Sequence, residues 1–185
     1  MKTFYAEEQA KHDPKMFLSS GAPQPNPEKP ERIARLLDGA KAAGCEIVRP
    51  RDHGLKPIAA IHTPEYLEFL QNIFLRWQRI EGASEEVIPN IHPLARTGRY
   101  PASAVGQAGY HMADTACPIS ADTGGSACWS AWSAVEAAEA VLAGARHTYA
   151  LCRPPGHHAF ADVAGGFCFL NNSAIAAQHL LTSSK

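Results

Sequence analysis

The amino-acid sequence predicts an α/β fold in which helices cover both faces of a parallel sheet. Short apolar segments of strand type alternate with amphipathic helices along the chain, and this alternation is typical of such sheets. The 185 residues suffice for one domain with a core of ordinary size. Apolar residues make up 45% of the chain and charged residues 19%, as in ordinary globular proteins.

The first predicted elements are two short strands and a helix. Residues 2–6 and residues 46–49 form the strands, and a polar, proline-rich loop covers residues 12–29. Pro30 marks a helix start, because the N–H groups of the first helical turn are unpaired and proline lacks that group. Gly44 is a natural stop for this helix, since glycine readily adopts the left-handed conformation that ends many helices.

A second helix begins at Thr63 and Pro64, the expected N-cap and first helical position. Its apolar side chains recur at helical spacing and predict core residues: Tyr66, Leu67, Leu70, Phe74 and Trp77. After this helix the periodicity disappears, and glycine, proline and arginine punctuate the sequence. We therefore expect a long inserted loop at about residues 78–108, and a loop of this length is usually functional or disordered.

The last predicted elements are a third helix, a strand and a final helix. The third helix ends at Gly144 and carries a stripe of apolar residues: Trp129, Trp132, Val135, Ala138 and Leu142. A strand at residues 148–152 follows, and the final helix covers about residues 171–181. Between this strand and this helix lies the segment from Arg153 to Asn172, which we call the histidine loop.

The histidine loop carries the strongest functional signal in the chain. It begins with the sequence RPPGHH, so that His157 and His158 follow directly after a strand. The ends of strands are where α/β sheets present their chemistry, and the pKa of histidine ordinarily lies near neutral pH. Adjacent side chains of an extended segment point to opposite faces, so both imidazoles reach one substrate only if the backbone turns. Gly156 and the two prolines before it favour such a turn.

The histidine loop resembles, in residue types and spacing, the signature of the zinc-dependent histone deacetylase and acetylpolyamine amidohydrolase family. Three shorter segments resemble the same family. Residues 62–67 resemble its His-x-x-x-Tyr-Leu helix start, and residues 30–32 its Pro-x-Arg helix opening. Gly109 and Tyr110 resemble a Gly-Tyr pair at the rim of its substrate tunnel. The resemblance implies an arginase-like or deacetylase-like parallel sheet, of which residues 1–185 are the N-terminal part.

The resemblance implies catalytic roles for three residues of the histidine loop. His157 corresponds to the histidine that hydrogen-bonds the catalytic water, and His158 to the general base that later acts as general acid. Gly166 corresponds to the residue whose backbone carbonyl contacts the same water. In this family a zinc ion polarises the amide carbonyl and lowers the pKa of its bound water.

The resemblance also implies substrate contacts. Phe167 corresponds to an aromatic wall of the acyl-lysine tunnel, and Tyr110 lies at the rim. Where lysine deacetylases carry an aspartate after this Gly-Tyr pair, the chain has His111. Asp114 lies nearby, and two interpretations of it are equally open: it holds the ammonium group of a substrate, or it caps a local turn.

The zinc ligands of this family lie in an Asp-x-Asp-x-His-His segment downstream of the histidine loop, with a further aspartate later. The sequence ends at Lys185, so we expect zinc for the family and no metal ligand in this chain. The chain is therefore predicted to be truncated and catalytically incomplete. The pairs His12-Asp13 and Asp52-His53 lie in polar loops, and we expect both pairs to be solvated rather than bound to metal.

The expected partners are a small acetylated amine and a second copy of the chain. The loop at residues 78–108 falls where acetylpolyamine amidohydrolases carry a loop that takes part in dimerisation and narrows the channel. This favours acetylpolyamines over acetyl-lysine, and a homodimer formed through that loop. Two alternatives stay open: a non-catalytic acyl-channel binding or dimerisation module, and a metal-free hydrolase that uses Cys152 or Cys168 with His157.

Charge and cysteine content bear on partners and compartment. With 17 basic and 18 acidic residues and no long run of one sign, the sequence predicts neither nucleic-acid nor membrane binding. The five cysteines are odd in number and lack C-x-x-C spacing, which favours a reducing compartment. The first residues become charged too early for a signal peptide, so a cytoplasmic location is expected.

Overall fold

The computed structural model describes residues 1–93 and 96–183. The strands of this part are β1 (Lys2–Phe4), β2 (Met16–Ser19), β3 (Ala22–Pro25), β4 (Glu46–Val48) and β5 (Thr148–Ala150). Its helices are α1 (Pro30–Ala42), α2 (Lys56–Ala59), α3 (Pro64–Trp77), α4 (Ala104–His111), α5 (Thr123–Leu142) and α6 (Asn172–Ser183). A short 3-10 helix at Glu7–Lys11 follows β1.

The main sheet is parallel and has the strand order β4-β1-β5. The central strand β1 places Thr3 opposite Ile47 on one side and Tyr149 on the other. The prediction of a parallel sheet flanked by helices is therefore confirmed, as are α1, α3 and α5. Thr63 caps α3 as expected, because its hydroxyl oxygen accepts a hydrogen bond from the Tyr66 N–H at 3.3 Å.

The core lies between α3, α5 and the histidine loop. The predicted stripe of α3 is buried there, and Phe74 packs against it half-buried. Tyr66 also makes a polar contact in this core, because its hydroxyl donates a hydrogen bond to the backbone carbonyl oxygen of Phe169 at 2.7 Å. A buried hydroxyl with a partner avoids the free-energy cost of an unpaired polar group. This contact ties α3 to the end of the histidine loop.

Two predicted loops contain regular structure. Residues 12–29 include the antiparallel hairpin of β2 and β3, whose two-residue turn has Ser20 at φ 51° and Gly21 at φ 80°. Two consecutive positive φ angles suit a tight hairpin turn. Because the first turn residue is serine, the sequence lacks the Asn-Gly or Asp-Gly pair that usually indicates such a turn. The last five residues of the segment 78–108 belong to α4, so the predicted loop was too long; its residues 94 and 95 lie outside the described residues.

A buried arginine fixes the start of the histidine loop. Arg153 is only 2% exposed and forms an ion pair with Glu28, with Nε and Oε1 separated by 2.8 Å. Its guanidinium also donates to the backbone carbonyl oxygens of Gln9, His12 and Glu28. Because buried charges are stable only when they are paired and hydrogen-bonded, this network holds the loop rigidly against the N-terminal segment.

The prediction that His12 is solvated was wrong. Its ring is buried, Nδ1 lies 3.1 Å from the hydroxyl of Thr123, and burial lowers the pKa of His12 to about 3. The helices in the described part of the chain include none that is both long and apolar enough to cross a membrane.

Candidate active site

The two ends of the histidine loop touch each other at Gly156. A side-chain carbon at this position would lie 2.5 Å from both the Asn172 nitrogen and the Leu170 carbonyl oxygen, so only glycine fits. Asn171 fixes the other end, because its backbone N–H donates to Nε2 of His62 at 2.9 Å. The side-chain oxygen of Asn171 also accepts from the N–H of Ala174 in the first turn of α6.

The closed loop presents its two histidines side by side. The ring centroids of His157 and His158 are 4.2 Å apart, the ring planes are inclined by 51°, and both residues are exposed. The expected turn of the backbone is therefore present. Gly166 has φ +53°, and a side-chain carbon there would lie 2.6 Å from Cδ2 of His158. Glycine at this position lets the His158 ring rest directly against the backbone.

Asp114 holds the glycine segment in place. One carboxylate oxygen accepts from the Gly166 N–H at 2.8 Å, and the other accepts from the Ala116 N–H at 2.8 Å. The structure thus shows the turn-capping role of Asp114, while its predicted contact with a substrate ammonium group stays a prediction. A backbone bridge between Met112 and Ala164 joins the same two segments.

Two aromatic rings flank the glycine segment. Phe167 lies at φ +68°, a conformation that non-glycine residues rarely adopt, and its ring meets the ring of Phe17 edge-on at 6.2 Å. Phe17 comes from the β2–β3 hairpin, so the sequence analysis missed it. The apolar run of residues 16–18 was the available signal. The two phenylalanines form an apolar wall beside the glycine segment.

His111 does not lie on an open surface. It is 1% exposed, and its Nδ1 donates to the carbonyl of Asp162 at 2.7 Å, while Nε2 lies 2.9 Å from the Tyr100 hydroxyl. Burial lowers the pKa of His111, which favours the neutral ring. This packing places the imidazole beneath the rim, so its predicted contact with substrate finds no support in the geometry.

Tyr110 packs under an arginine of the long loop. The Arg96 guanidinium carbon lies 4.2 Å above the centre of the Tyr110 ring, and the guanidinium forms two hydrogen bonds of 3.0 and 2.8 Å with the Asp162 carboxylate. These contacts fasten the loop 78–108 to the histidine loop. A cavity of about 400 Å³ opens beside them, and Phe160, which is 69% exposed, lines its outer edge.

The two cysteine thiols near the histidine loop, those of Cys152 and Cys168, lack the lowered pKa that is typical of nucleophilic cysteines. Burial raises the pKa of Cys152 to about 11, and burial also raises the pKa of Cys168. A thiol with a raised pKa is protonated near neutral pH, whereas the thiolate is the nucleophile. The alternative of a cysteine hydrolase is therefore disfavoured.

The described residues place their one close group of candidate metal ligands outside the histidine loop. Within residues 1–93 and 96–183, the one group of three or more His, Cys, Asp or Glu side chains with mutually close ligand atoms consists of His53, Glu136 and Glu139. This group belongs to α5 and the segment after β4, and none of its members lies in the histidine loop. The expected solvation of His53 was wrong, since its side chain is 9% exposed and bonds to Glu136.

Comparisons with known proteins identify relatives along almost the whole chain. A family model described as "Histone deacetylase domain" matches residues 26–185. Acetylpolyamine amidohydrolase of Burkholderia pseudomallei is 45% identical over 184 residues, which are 97% of this chain and 52% of that protein. Acetylpolyamine amidohydrolase 1 of Pseudomonas aeruginosa is 40% identical over 185 residues, covering 98% of this chain and 53% of that protein.

A comparison with solved structures also finds an acetylpolyamine aminohydrolase relative. The crystal structure of acetylpolyamine aminohydrolase from Burkholderia pseudomallei superposes with a TM-score of 0.94 at 44% identity. The match covers 98% of this chain and 53% of that one. The chain therefore spans about half the length of the relatives that it matches.

Proposed function

Because the chain belongs to the histone deacetylase family, we propose that it supplies the acid-base half of an amidohydrolase that removes acetyl groups from acetylated amines. The observation that carries this proposal is the pair of imidazoles, 4.2 Å apart, with the ring of His158 seated on the Gly166 backbone. Two exposed imidazoles beside an aromatic wall suit proton transfer at the end of a slender acyl chain.

In this proposal the two histidines have different roles. His158 accepts a proton from the attacking water and then donates it to the leaving amine. His157 hydrogen-bonds to the same water and stabilises the charge that develops, and the carbonyl oxygen of Gly166 orients the water. The motif supplies these assignments, and the contact of the His158 ring with the Gly166 backbone supports them, because this contact limits the directions in which the ring can point.

The histone deacetylase family is generally zinc-dependent, and a bound zinc ion polarises the amide carbonyl and activates water. The described residues bring no set of zinc ligands to the histidine loop. We propose that its ligands are not among these 185 residues. The isolated chain should then leave N-acetylputrescine and acetyl-lysine intact even with added zinc. Turnover that a chelator abolishes would contradict this expectation.

We propose acetylpolyamines as the preferred substrates, before acetyl-lysine. The names of the relatives support this class, and so does the anchored loop 78–108, because a narrowed channel admits a slim chain more easily than a folded protein. The Asp114 carboxylate lies at the glycine segment, and each of its oxygens accepts a hydrogen bond from a backbone N–H. The negative charge of this carboxylate favours a cationic substrate.

We further propose that the loop 78–108 lies in a homodimer interface. Its described part exposes Ile91, Arg99 and Tyr100, and arginine and aromatic residues are enriched in such interfaces. Arg96 is engaged within the chain by Asp162, so it holds the loop in position rather than contacting a partner.

A chimera tests the proposed activity. The Burkholderia relative matches this chain over 52% of its length, so the chain can replace that part while the relative supplies the remainder. We expect the zinc-loaded chimera to deacetylate N-acetylputrescine. His158→Ala should lower kcat by about two to four orders of magnitude, the usual contribution of a general acid-base group, and His157→Ala should cost less.

His147→Ala serves as the control, because this exposed histidine lies outside the histidine loop. It should retain full activity. A folded, zinc-loaded chimera that fails to deacetylate acetylated amines would contradict the proposed function. Near-normal rates for His158→Ala would remove His158 from the mechanism while leaving the activity itself established.

A further inference from the structure

Four ionisable side chains converge on one side of α5, outside the histidine loop. Glu136 and Glu139 lie three residues apart on this helix, His53 comes from the segment after β4, and His179 comes from α6. His53 Nε2 lies 2.9 Å from Oε1 of Glu136, and its Nδ1 lies 4.0 Å from Oε1 of Glu139. His179 Nε2 lies 2.9 Å from that same Glu139 oxygen.

The cluster is partly enclosed. The exposed side-chain fractions are 9% for His53 and 18% for Glu136, and Glu139 and His179 are also mostly covered. A cavity of about 550 Å³ lies between α2 and α6, and its lining includes His53, His179 and Lys56. Two carboxylates and two imidazoles therefore lie in contact with one another, and the two imidazoles also line the cavity.

We propose that His53, Glu136, Glu139 and His179 bind one divalent first-row transition ion of the zinc type. Imidazole nitrogen and carboxylate oxygen are common zinc ligands, and four of them complete a tetrahedral shell. With metal–ligand bonds of about 2.1 Å, neighbouring ligand atoms of a tetrahedron lie about 3.4 Å apart. One ligand atom each of His53, Glu136 and Glu139 lies within 4.8 Å of the other two, and His179 Nε2 lies 2.9 Å from Oε1 of Glu139. Side-chain shifts of roughly 1 to 1.5 Å bring the first three atoms to tetrahedral spacing, and His179 completes the shell.

Arg51 is the group with which a metal ion must compete. Its Nε lies 3.0 Å from Oε1 of Glu136, and its guanidinium also contacts Oε2 of Glu139. Its side chain is 65% exposed, so it can move into solvent, and exposed ion pairs contribute little to stability. With neutral imidazoles, Glu136, Glu139 and Arg51 leave a net charge of −1. A divalent ion neutralises both carboxylates, which one guanidinium does not.

The effect of removing Arg51 on metal affinity distinguishes a metal site from a network of ion pairs. If the cluster only joins the segment after β4 to α5 and α6, removing Arg51 weakens the cluster and creates no affinity for metal. If the cluster binds metal, removing Arg51 frees both carboxylates and strengthens binding. His53→Ala and Glu139→Gln each remove one ligand and weaken binding in the second case alone.

The experiment uses the tag-free 185-residue chain and titrates Zn²⁺ in competition with a chromogenic chelator, with Co²⁺ absorption as a second readout. We expect one ion per chain, at least tenfold weaker binding in His53→Ala and Glu139→Gln, and several-fold tighter binding in Arg51→Gln. Circular dichroism spectra show which variants are folded. Two controls should keep the parent affinity: His92→Gln, which removes an exposed histidine elsewhere, and the double variant His157→Ala/His158→Ala.

Other outcomes overturn the proposal. Loss of binding in the double variant alone would assign the metal to the histidine loop. Absence of stoichiometric binding in both the parent chain and Arg51→Gln would show that the cluster is an ion-pair network. Because Arg51→Gln is expected to gain affinity, its result does not depend on whether the ligand variants fold.

Discussion

Gly166→Ala tests most directly whether the contact with the Gly166 backbone positions the His158 ring. The new methyl group would lie 2.6 Å from Cδ2 and 2.8 Å from Cγ of His158, well inside van der Waals contact. His158 is exposed, so its ring can rotate away at small cost. The residue must also keep φ +53°, a left-handed conformation that costs roughly 1–2 kcal/mol for alanine. We therefore expect the free energy of unfolding to fall by about 1–2 kcal/mol.

The effect on catalysis should be larger than the effect on stability. A displacement of about 1 Å of a catalytic group can cost on the order of a hundredfold in rate, so kcat of the chimera on N-acetylputrescine should fall by about that factor. The Tm of the 185-residue chain should fall by about 2–8 °C, at roughly 2–4 °C per kcal/mol for a domain of this size. Differential scanning fluorimetry and steady-state kinetics measure the two quantities.

Gly165→Ala is the matched control. A side-chain carbon there would have the Ala113 side chain as its nearest neighbour, at 3.4 Å, and Gly165 does not have a positive φ. We expect kcat of this variant to stay within about threefold of the parent value, since a compatible glycine-to-alanine change costs little. Equal activity of the two alanine variants would refute the reasoning that Gly166 positions His158.

Three further predictions concern two buried ionisable side chains and the long loop. The pKa of His12 falls from 6.5 in the unfolded chain to about 3 in the fold, so the unfolded chain binds more protons between these values and stability falls as pH falls. Urea unfolding should show a loss of about 2 kcal/mol from pH 7 to pH 5, which His12→Gln reduces; an unchanged slope would contradict this. Glu28→Ala leaves Arg153 buried without its carboxylate, so unfolding experiments should show a loss of about 3–5 kcal/mol, and an unchanged urea midpoint would show that the pair is not needed. In a chimera, deletion of residues 81–99 should yield monomers in light scattering and improve acetyl-lysine peptide turnover relative to acetylpolyamines; a dimer with unchanged preference would leave the loop without these roles.

Local sequence patterns predicted most of the fold. The helices α1, α3 and α5 carry apolar residues at helical spacing, and a proline in the first turn marks the start of α1 and of α3. For α5 the sequence predicted the apolar stripe and the end of the helix, but not its start at Thr123. The hairpin of β2 and β3 and the helix α4 lack such signals. Gly109 in α4 lowers helix propensity, yet a side chain there would collide with the Ile91 carbonyl oxygen at 1.7 Å. Tertiary packing decides these segments.

Contacts between distant parts of the chain explain what the sequence analysis missed. Burial lowers the pKa of His12, and the Thr123 hydroxyl that contacts its ring is 111 residues away in the sequence. His53 is paired because α5 brings Glu136 to it. Neither partner is visible from the local sequence, which shows only polar residues in polar loops. Phe17 joins Phe167 for the same reason, since the hairpin and the histidine loop meet only in the folded chain.

The geometry of the histidine pair depends on contacts within the described residues. Arg153 holds the start of the histidine loop, Asn171 holds its end, and Asp114 holds the Gly166 segment against which His158 rests. Each of these contacts is a hydrogen bond or an ion pair to a residue outside the loop, so the loop cannot turn without breaking several of them. These contacts therefore hold in place the backbone from which the two imidazoles project. The proposed deacetylation then requires the rest of the active site to add electrophilic activation to a pair of imidazoles that is already in place.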